Sequence, residues 1–153
     1  MSVVAVYAPI EVCETEEKEM FYAKLDSVLD QCPCRDALIV LGDCNAVTGT
    51  ERAGYEICVG PHGSGTRINS SFLLNLGRSR KLRIADSWCQ RAVLHHWNWF
   101  SNAGRVVEVN HILVNTHWRI LENCRIFWNA GLQPAYSALK RLHSKSIFQM
   151  HAI

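Results

Sequence analysis

The sequence predicts an α/β fold, and three observations carry that expectation. Two apolar runs rich in β-branched residues, at 2–8 and 37–41, lie about forty residues apart with a helical pattern between them. The second run is bounded by Asp36 and Gly42, as a short strand buried on both faces would be. The stretch from Trp97 to Val114 reads again as strand, turn and strand.

Ser2-Val3-Val4-Ala5-Val6-Tyr7-Ala8 is the first strand, stopped by Pro9. A strand this near the first residue suggests a chain that starts inside a domain. Thr15 is placed to cap the next segment, and Glu16 and Glu17 suit a helix N-terminus. Met20, Phe21, Leu25, Val28 and Leu29 then fall on one helical face, and the helix should end near Gln31, before Pro33. The strand Ala37-Leu38-Ile39-Val40-Leu41 follows and completes a β-α-β unit.

Gly42-Asp43-Cys44-Asn45 closes that strand. The C-terminal end of a buried strand is where a sheet opens into a crevice. There Asp43 can act as a base or polarise a water, and Asn45 can donate to an anion. A plain Gly-Asp turn is the alternative. Tyr7 ends the first strand as Asp43 ends the second, so the two can share one rim; Tyr7 can equally cover the sheet end.

Residues 46–68 read as a long loop. Gly60-Pro61-His62-Gly63-Ser64-Gly65 resembles a phosphate cradle but lacks its lysine and helix, so a surface loop is expected. Asn69 or Ser70 can cap a helix through Phe72, Leu73, Leu74 and Leu76, whose second half Gly77 weakens by about 1 kcal/mol relative to alanine. Arg78, Arg80, Lys81 and Arg83 fit a solvated helix end, with phosphate contact as the alternative. A short strand is expected within 82–88. His95-His96-Trp97-Asn98-Trp99-Phe100 and 106–114 make a hairpin about the turn at Gly104. Its aromatics pack on a sheet face or stack on bases. His95 and His96 point to opposite faces and cannot easily share an ion. A last strand is expected near 125–128. Residues 134–153 are basic and weakly amphipathic, enough for one helix.

The 153 residues make one domain of globular composition, 48% hydrophobic and 20% charged, with a net charge of +2 too mild to imply nucleic-acid binding. No apolar run suits a membrane span, and no signal peptide is evident. The seven cysteines form no framework and read as reduced thiols in an intracellular protein, nuclear or cytoplasmic rather than secreted. Cys32-Pro33-Cys34 has no partner pair at zinc spacing, so no metal is assigned to it.

Taken together, these motifs resemble the endonuclease/exonuclease/phosphatase family, most of all the apurinic-type endonuclease domains of non-LTR retrotransposons and host proteins derived from them. The resemblance rests on Val3-Val4-Ala5-Val6-Tyr7-Ala8-Pro9, on Gly42-Asp43-Cys44-Asn45, on the loop from Gly60 to Gly65, and on Trp99-Phe100-Ser101 with Ile112-Leu113-Val114. It covers roughly 2–130 and the second half of the family's domain. It implies part of a four-layer α/β sandwich, about one of its two β-sheets with its helices, over 1–130, and a divergent tail over 131–153. It implies magnesium-dependent phosphodiester cleavage, with Asp43 on the attacking water and Asn45 and Tyr7 on the phosphate. Trp99 and Asn110 would be substrate-binding positions.

The departures matter as much. Val109-Asn110-His111 stands where the family has Ile-Asp-Tyr, and Asn129-Ala130-Gly131-Leu132-Gln133-Pro134 stands where it has Ser-Asp-His. The family's metal-binding glutamate and first asparagine have no counterpart. The expectation is therefore a truncated, inactive derivative with vestigial Asp43, Asn45 and Tyr7, and no productively bound magnesium. Glu108, His111 and His117 could in principle substitute for the lost groups, but nothing in the sequence shows that they do. The alternatives are a residual or partner-complemented endonuclease, and a nucleic-acid or protein-binding module using the basic cluster 78–83 and the aromatics 97–100. DNA is the expected partner. Unless the tail or a partner covers it, the inner sheet face is expected to be exposed, with marginal stability, self-association or a partner bound there as the consequence, and no membrane is expected.

Overall fold

Ser2–Tyr7 forms strand β1, in which side chains alternate between a half-buried and an exposed face. The computed structural model describes residues 1–92, 99–100, 106–115, 123–127 and 147–151. Helix α1, Thr15–Asp30, follows β1 and ends at Gln31, as the proline two residues on requires. Thr15 is the first helical residue rather than the cap; Glu14 holds that place and makes no side-chain capping bond. The buried stripe of α1 also differs from expectation. Leu25 and Leu29 are buried, with Phe21 and Tyr22 packed against the same core. Met20 is 68% exposed and Val28 37% exposed. At about 100° per residue, Tyr22, Leu25 and Leu29 lie within about 60° of one another; Val28 flanks them and Met20 falls on the opposite side of the helix.

Strand β2, Leu38–Asp43, pairs parallel with β1 from Ser2↔Leu38 to Tyr7↔Asp43. This is the expected β-α-β unit. Helix α2, Ser71–Arg80, begins after Ser70, whose hydroxyl gives no cap bond. Gly77 stays inside α2 because a Cβ there would approach the Cys58 sulfur at 3.2 Å. A left-handed Lys81 ends the helix and leads into β3, Leu82–Ile84, then a single 3₁₀ helix, Ala85–Trp88.

The expected hairpin divides. Strands β4 (Trp99–Phe100) and β5 (Val106–Val107) pair with each other. Strand β6, Asn110–Asn115, leaves them and enters the main sheet. There it lies antiparallel to both β2 and β3, giving the order β1-β2-β6-β3. Strands β7 (Asn123–Phe127) and β8 (Ile147–His151) form a third, antiparallel pair. Most of the helix expected in 134–153 lies outside the described residues, and its Ile147 end is a strand instead. These mixed strands and helices have the α/β character of a partial α/β sandwich.

One face of the sheet carries the larger core. Val40, Leu113 and Ile84 meet Leu25 and Leu29 of α1 and Leu73, Leu74 and Leu76 of α2. On the opposite face Ile39, Ile112, Val114 and Ala85 form a second buried cluster. The centre of that face is therefore covered, against the expectation of a bare sheet. Exposure is confined to its β1 end, where Val3 is 54% exposed.

Candidate functional site

Strand register assembles the rim. Tyr7 is level with Asp43 across β1–β2, and Asp43 is level with Asn110 across β2–β6. Residues paired across neighbouring strands share a face, so Tyr7, Asp43 and Asn110 form one row across three strands. Tyr7 is 70% exposed. Asp43 and Asn110 are half-buried.

The chain turns sharply after Asp43. The carboxylate oxygen Oδ1 of Asp43 accepts from the Asn45 backbone N–H at 3.0 Å, an Asx-type turn. Asn45 has φ 45°, a left-handed conformation that asparagine tolerates. Its side-chain amide donates to the Ala8 carbonyl at 2.8 Å, tying the end of β2 to the end of β1. Asn69 completes the tie: also left-handed at φ 50°, it donates from Nδ2 to Asn45 O at 2.9 Å and to Pro9 O at 3.2 Å. Gly42 makes the close approach possible. It has φ 145°, and a Cβ there would meet the Val6 carbonyl oxygen at 2.0 Å.

Cys44 is buried between these polar residues, and burial first, then the Asp86 and Asp43 charges, push its thiol up to about 12. It is not a nucleophile at neutral pH.

Beneath the row lies a buried charged cluster. His111 is fully buried. Its Nδ1 is 3.0 Å from Asp86 Oδ2 and its Nε2 is 2.8 Å from Ala46 O. Both neighbours are acceptors, so both ring nitrogens carry protons and the ring is an imidazolium. Burial alone would lower its pKa, but the Asp86 carboxylate overrides this and raises it to about 9. Burial likewise opposes ionisation of Asp86, and His111 and Arg91 reverse that, holding it below the usual carboxylate range. Arg91 donates to Glu108 Oε1 at 2.9 Å and to Asp86 O at 2.7 Å. Ser64 donates to Glu108 Oε2 at 2.8 Å. The loop from Gly60 to Gly65 is thus anchored against the core rather than being a plain surface loop: Gly60 N also donates to Ser87 Oγ, and His62 N to Ser87 O.

Of the residues the sequence singles out, Tyr7, Asp43 and Asn110 come together in the row, with Asn45 immediately beyond it. Trp99 lies in the β4–β5 pair, opposite Val107. His111 and Glu108 are in the interior, and His117 lies outside the described residues, as do His95 and Trp97. The sequence reading missed Asn69 as a tie, and Asp86 and Arg91 altogether. The one local signal for Asn69 was an asparagine in a glycine-rich loop, where left-handed backbone is common.

Magnesium needs near-octahedral oxygen ligation, usually from one or two carboxylates plus substrate phosphate. The row supplies one carboxylate, Asp43, beside the amides of Asn110 and Asn45. Among the described residues no group of three or more His, Cys, Asp or Glu side chains could hold a metal ion. This donor set does not fit a resident magnesium.

The mixed β1-β2-β6-β3 sheet is that of an α/β chain, and comparison with known proteins supports an endonuclease/exonuclease/phosphatase-like relationship with partial coverage. Craniofacial development protein 2 of Tragulus javanicus is 27% identical over 121 residues, 78% of this chain and 21% of that protein. The Bos taurus protein is also 27% identical over 121 residues, 78% of this chain and 20% of its own length. The match thus spans about a fifth of these relatives. The structure of a Neisseria 3′ phosphatase, NExo, bound to a product DNA hairpin superposes with a TM-score of 0.61 at 21% identity, over 99% of this chain and 60% of that one. At that identity the likeness is one of fold. No family model matches the chain. Among the described residues, no helix is long and apolar enough to cross a membrane.

Proposed function

We propose that this chain is a derivative of a retrotransposon-type DNA endonuclease domain that has kept a phosphodiester-binding rim and lost autonomous cleavage. One observation carries the reading: in the row, Asp43 faces the neutral Asn110, where the family resemblance calls for a second carboxylate. Cleavage of a phosphodiester needs a group to take a proton from the nucleophile and charge to stabilise the transition state. Asp43 can take the proton. Two further acid–base groups among the described residues are committed elsewhere, His111 between Asp86 and Ala46 O, and Glu108 between Arg91 and Ser64. Losing single members of such a unit commonly costs a factor of about a hundred or more in rate. Binding asks for less. The exposed Tyr7 hydroxyl and the rim amides are hydrogen-bond donors that suit a phosphate.

Supercoiled plasmid DNA incubated with the purified protein and magnesium should stay intact on an agarose gel. A magnesium-dependent nick that disappears in Asp43→Ala would sink the proposal.

A second reading is favoured by the exposure of Val3, Ala5 and Tyr7 on one face of β1, which runs straight into the row. A second chain laid on that face would border Asp43 and could supply the missing groups. Adding a separately made N-terminal half of a related domain should then restore Asp43-dependent nicking; no rescue at high concentration counts against it.

A further inference from the structure

The sequence pattern pointed to Arg78, Arg80, Lys81 and Arg83 as one basic cluster, but the fold sorts these residues differently. Arg80 is consumed at the helix–helix contact, with Nε 2.6 Å from Asp26 and NH1 2.6 Å from Asp30. Lys81 is the left-handed end of α2. Arg78 and Arg83 join two other arginines on two aromatic rings. The guanidinium carbons of Arg67 and Arg78 lie 5.1 and 5.4 Å from the Tyr55 ring centre. Those of Arg52 and Arg83 lie 5.9 and 4.5 Å from the Trp88 ring centre. The two clusters are joined by a turn in which Tyr55 N donates to Arg52 O at 2.7 Å. They sit around the β3 edge of the sheet, whereas the row of Tyr7, Asp43 and Asn110 spans the other three strands.

Among the described residues, none of these four arginines has a carboxylate within ion-pair distance. Arg52 and Arg67 donate only to backbone carbonyls, those of Val59, Thr48 and Glu51. The side chains of Arg78 and Arg83 make no hydrogen bond among the described residues; Arg78 is exposed, and Arg83, half-buried, has its Nε enclosed without a partner. The one nearby acid whose charge Arg52 influences, Glu56, is turned to the backbone N–H of Gly54. Four guanidinium groups are therefore held in place, which lowers the entropy lost on binding, and among the described residues none of them is in an ion pair. That is the chemistry of a phosphate-binding surface.

We infer that Arg52, Arg67, Arg78 and Arg83, arrayed on Tyr55 and Trp88, form a sequence-independent contact surface for the phosphate backbone of duplex nucleic acid, separate from the rim. Guanidinium groups already occupy the ring faces, so bases have no platform to stack on and the backbone is what is left to read. A duplex presents the denser line of phosphates. The inference depends neither on cleavage nor on its loss.

The test is fluorescence anisotropy of a labelled duplex titrated with the full chain at several salt concentrations. The logarithm of the association constant should fall linearly with the logarithm of salt. Arg78→Gln, at an exposed site, should flatten that slope by about one unit, and Arg52→Gln with Arg78→Gln by about two. Affinity should not change when the duplex sequence is scrambled. Lys24→Gln, which removes an exposed charge on α1 outside both clusters, should leave the slope as it was. Three results would overturn the inference: an unchanged slope in the arginine variants, an equal flattening in Lys24→Gln, or tighter binding of a single strand than of the duplex.

Discussion

His111 lies between two acceptors, and that placement sets both its charge and its pH response. Unfolded, it titrates near 6.5; folded, near about 9. Its contribution to stability is therefore complete below 6.5 and is lost as pH rises through the folded value. Asp86 is the opposite case. Its folded pKa is held below 3.8, so its contribution is present above 3.8 and is lost as pH falls through the folded value. Urea unfolding at a series of pH values should show stability falling by something on the order of 3 kcal/mol between pH 6.5 and about 9. His111→Gln should flatten that decline, and an equal decline in wild type and variant would contradict the assignment. The residues that could be read from sequence are those fixed by local pattern. Tyr7 and Asp43 end strands, Asn45 follows a turn, and Asn110 stands two residues before a clear apolar run. Asp86 and Arg91 could not be read that way. Asp86 meets His111 across 25 residues and His111 meets Ala46 across 65, and no local periodicity encodes such pairings.

At the scale of elements, the β-α-β unit was legible because its two strands and helix each carry an unmixed pattern. The late hairpin was not. Its apolar residues run on past Glu108 and Val109, while the backbone breaks there so that Val109 O can accept from Cys44 N at 3.0 Å. That bond is long-range and leaves no mark in the sequence. The face of α1 was misread because Val28 is apolar but only borders the stripe, and Met20 is apolar but lies on the opposite side. Gly42 is the element-level feature most open to test. With its φ of 145° and the Val6 carbonyl in the way, Gly42→Ala must shift β1 away from β2. Strained backbone and overpacking cost about 1–3 kcal/mol each. A loss of at least about 2 kcal/mol in urea unfolding is expected, and a neutral result would show that the strand pair can relax.

At the scale of the whole molecule, the sequence reading expected an open inner sheet face, and the structure narrows that to one end. Ile39, Ile112 and Val114 are buried, whereas Val3, Ala5 and Tyr7 are exposed on the same face. The expectation was drawn from a resemblance to a two-sheet fold, which indicates how much sheet the chain carries but not what its own later segments do. Exposed apolar surface beside an edge strand favours association. Size-exclusion chromatography should show concentration-dependent association that Val3→Glu weakens. A monodisperse monomer at all concentrations would contradict it.

The alternation of β6 gives the buried ion pair a second consequence. Asn110 faces the rim and His111 the core, so sliding β6 by one residue against β2 would exchange them. The imidazolium would then face outward, leaving the enclosed Asp86 carboxylate without its hydrogen-bonded partner and with only the more weakly acting Arg91 charge, and breaking a buried pair costs about 3–5 kcal/mol. Aliphatic neighbours such as Ile112 and Leu113 discriminate weakly between the two alignments, since either can face a core. The His111–Asp86 pair thus acts as an alignment key: it admits the one strand register in which Tyr7, Asp43 and Asn110 stand in line.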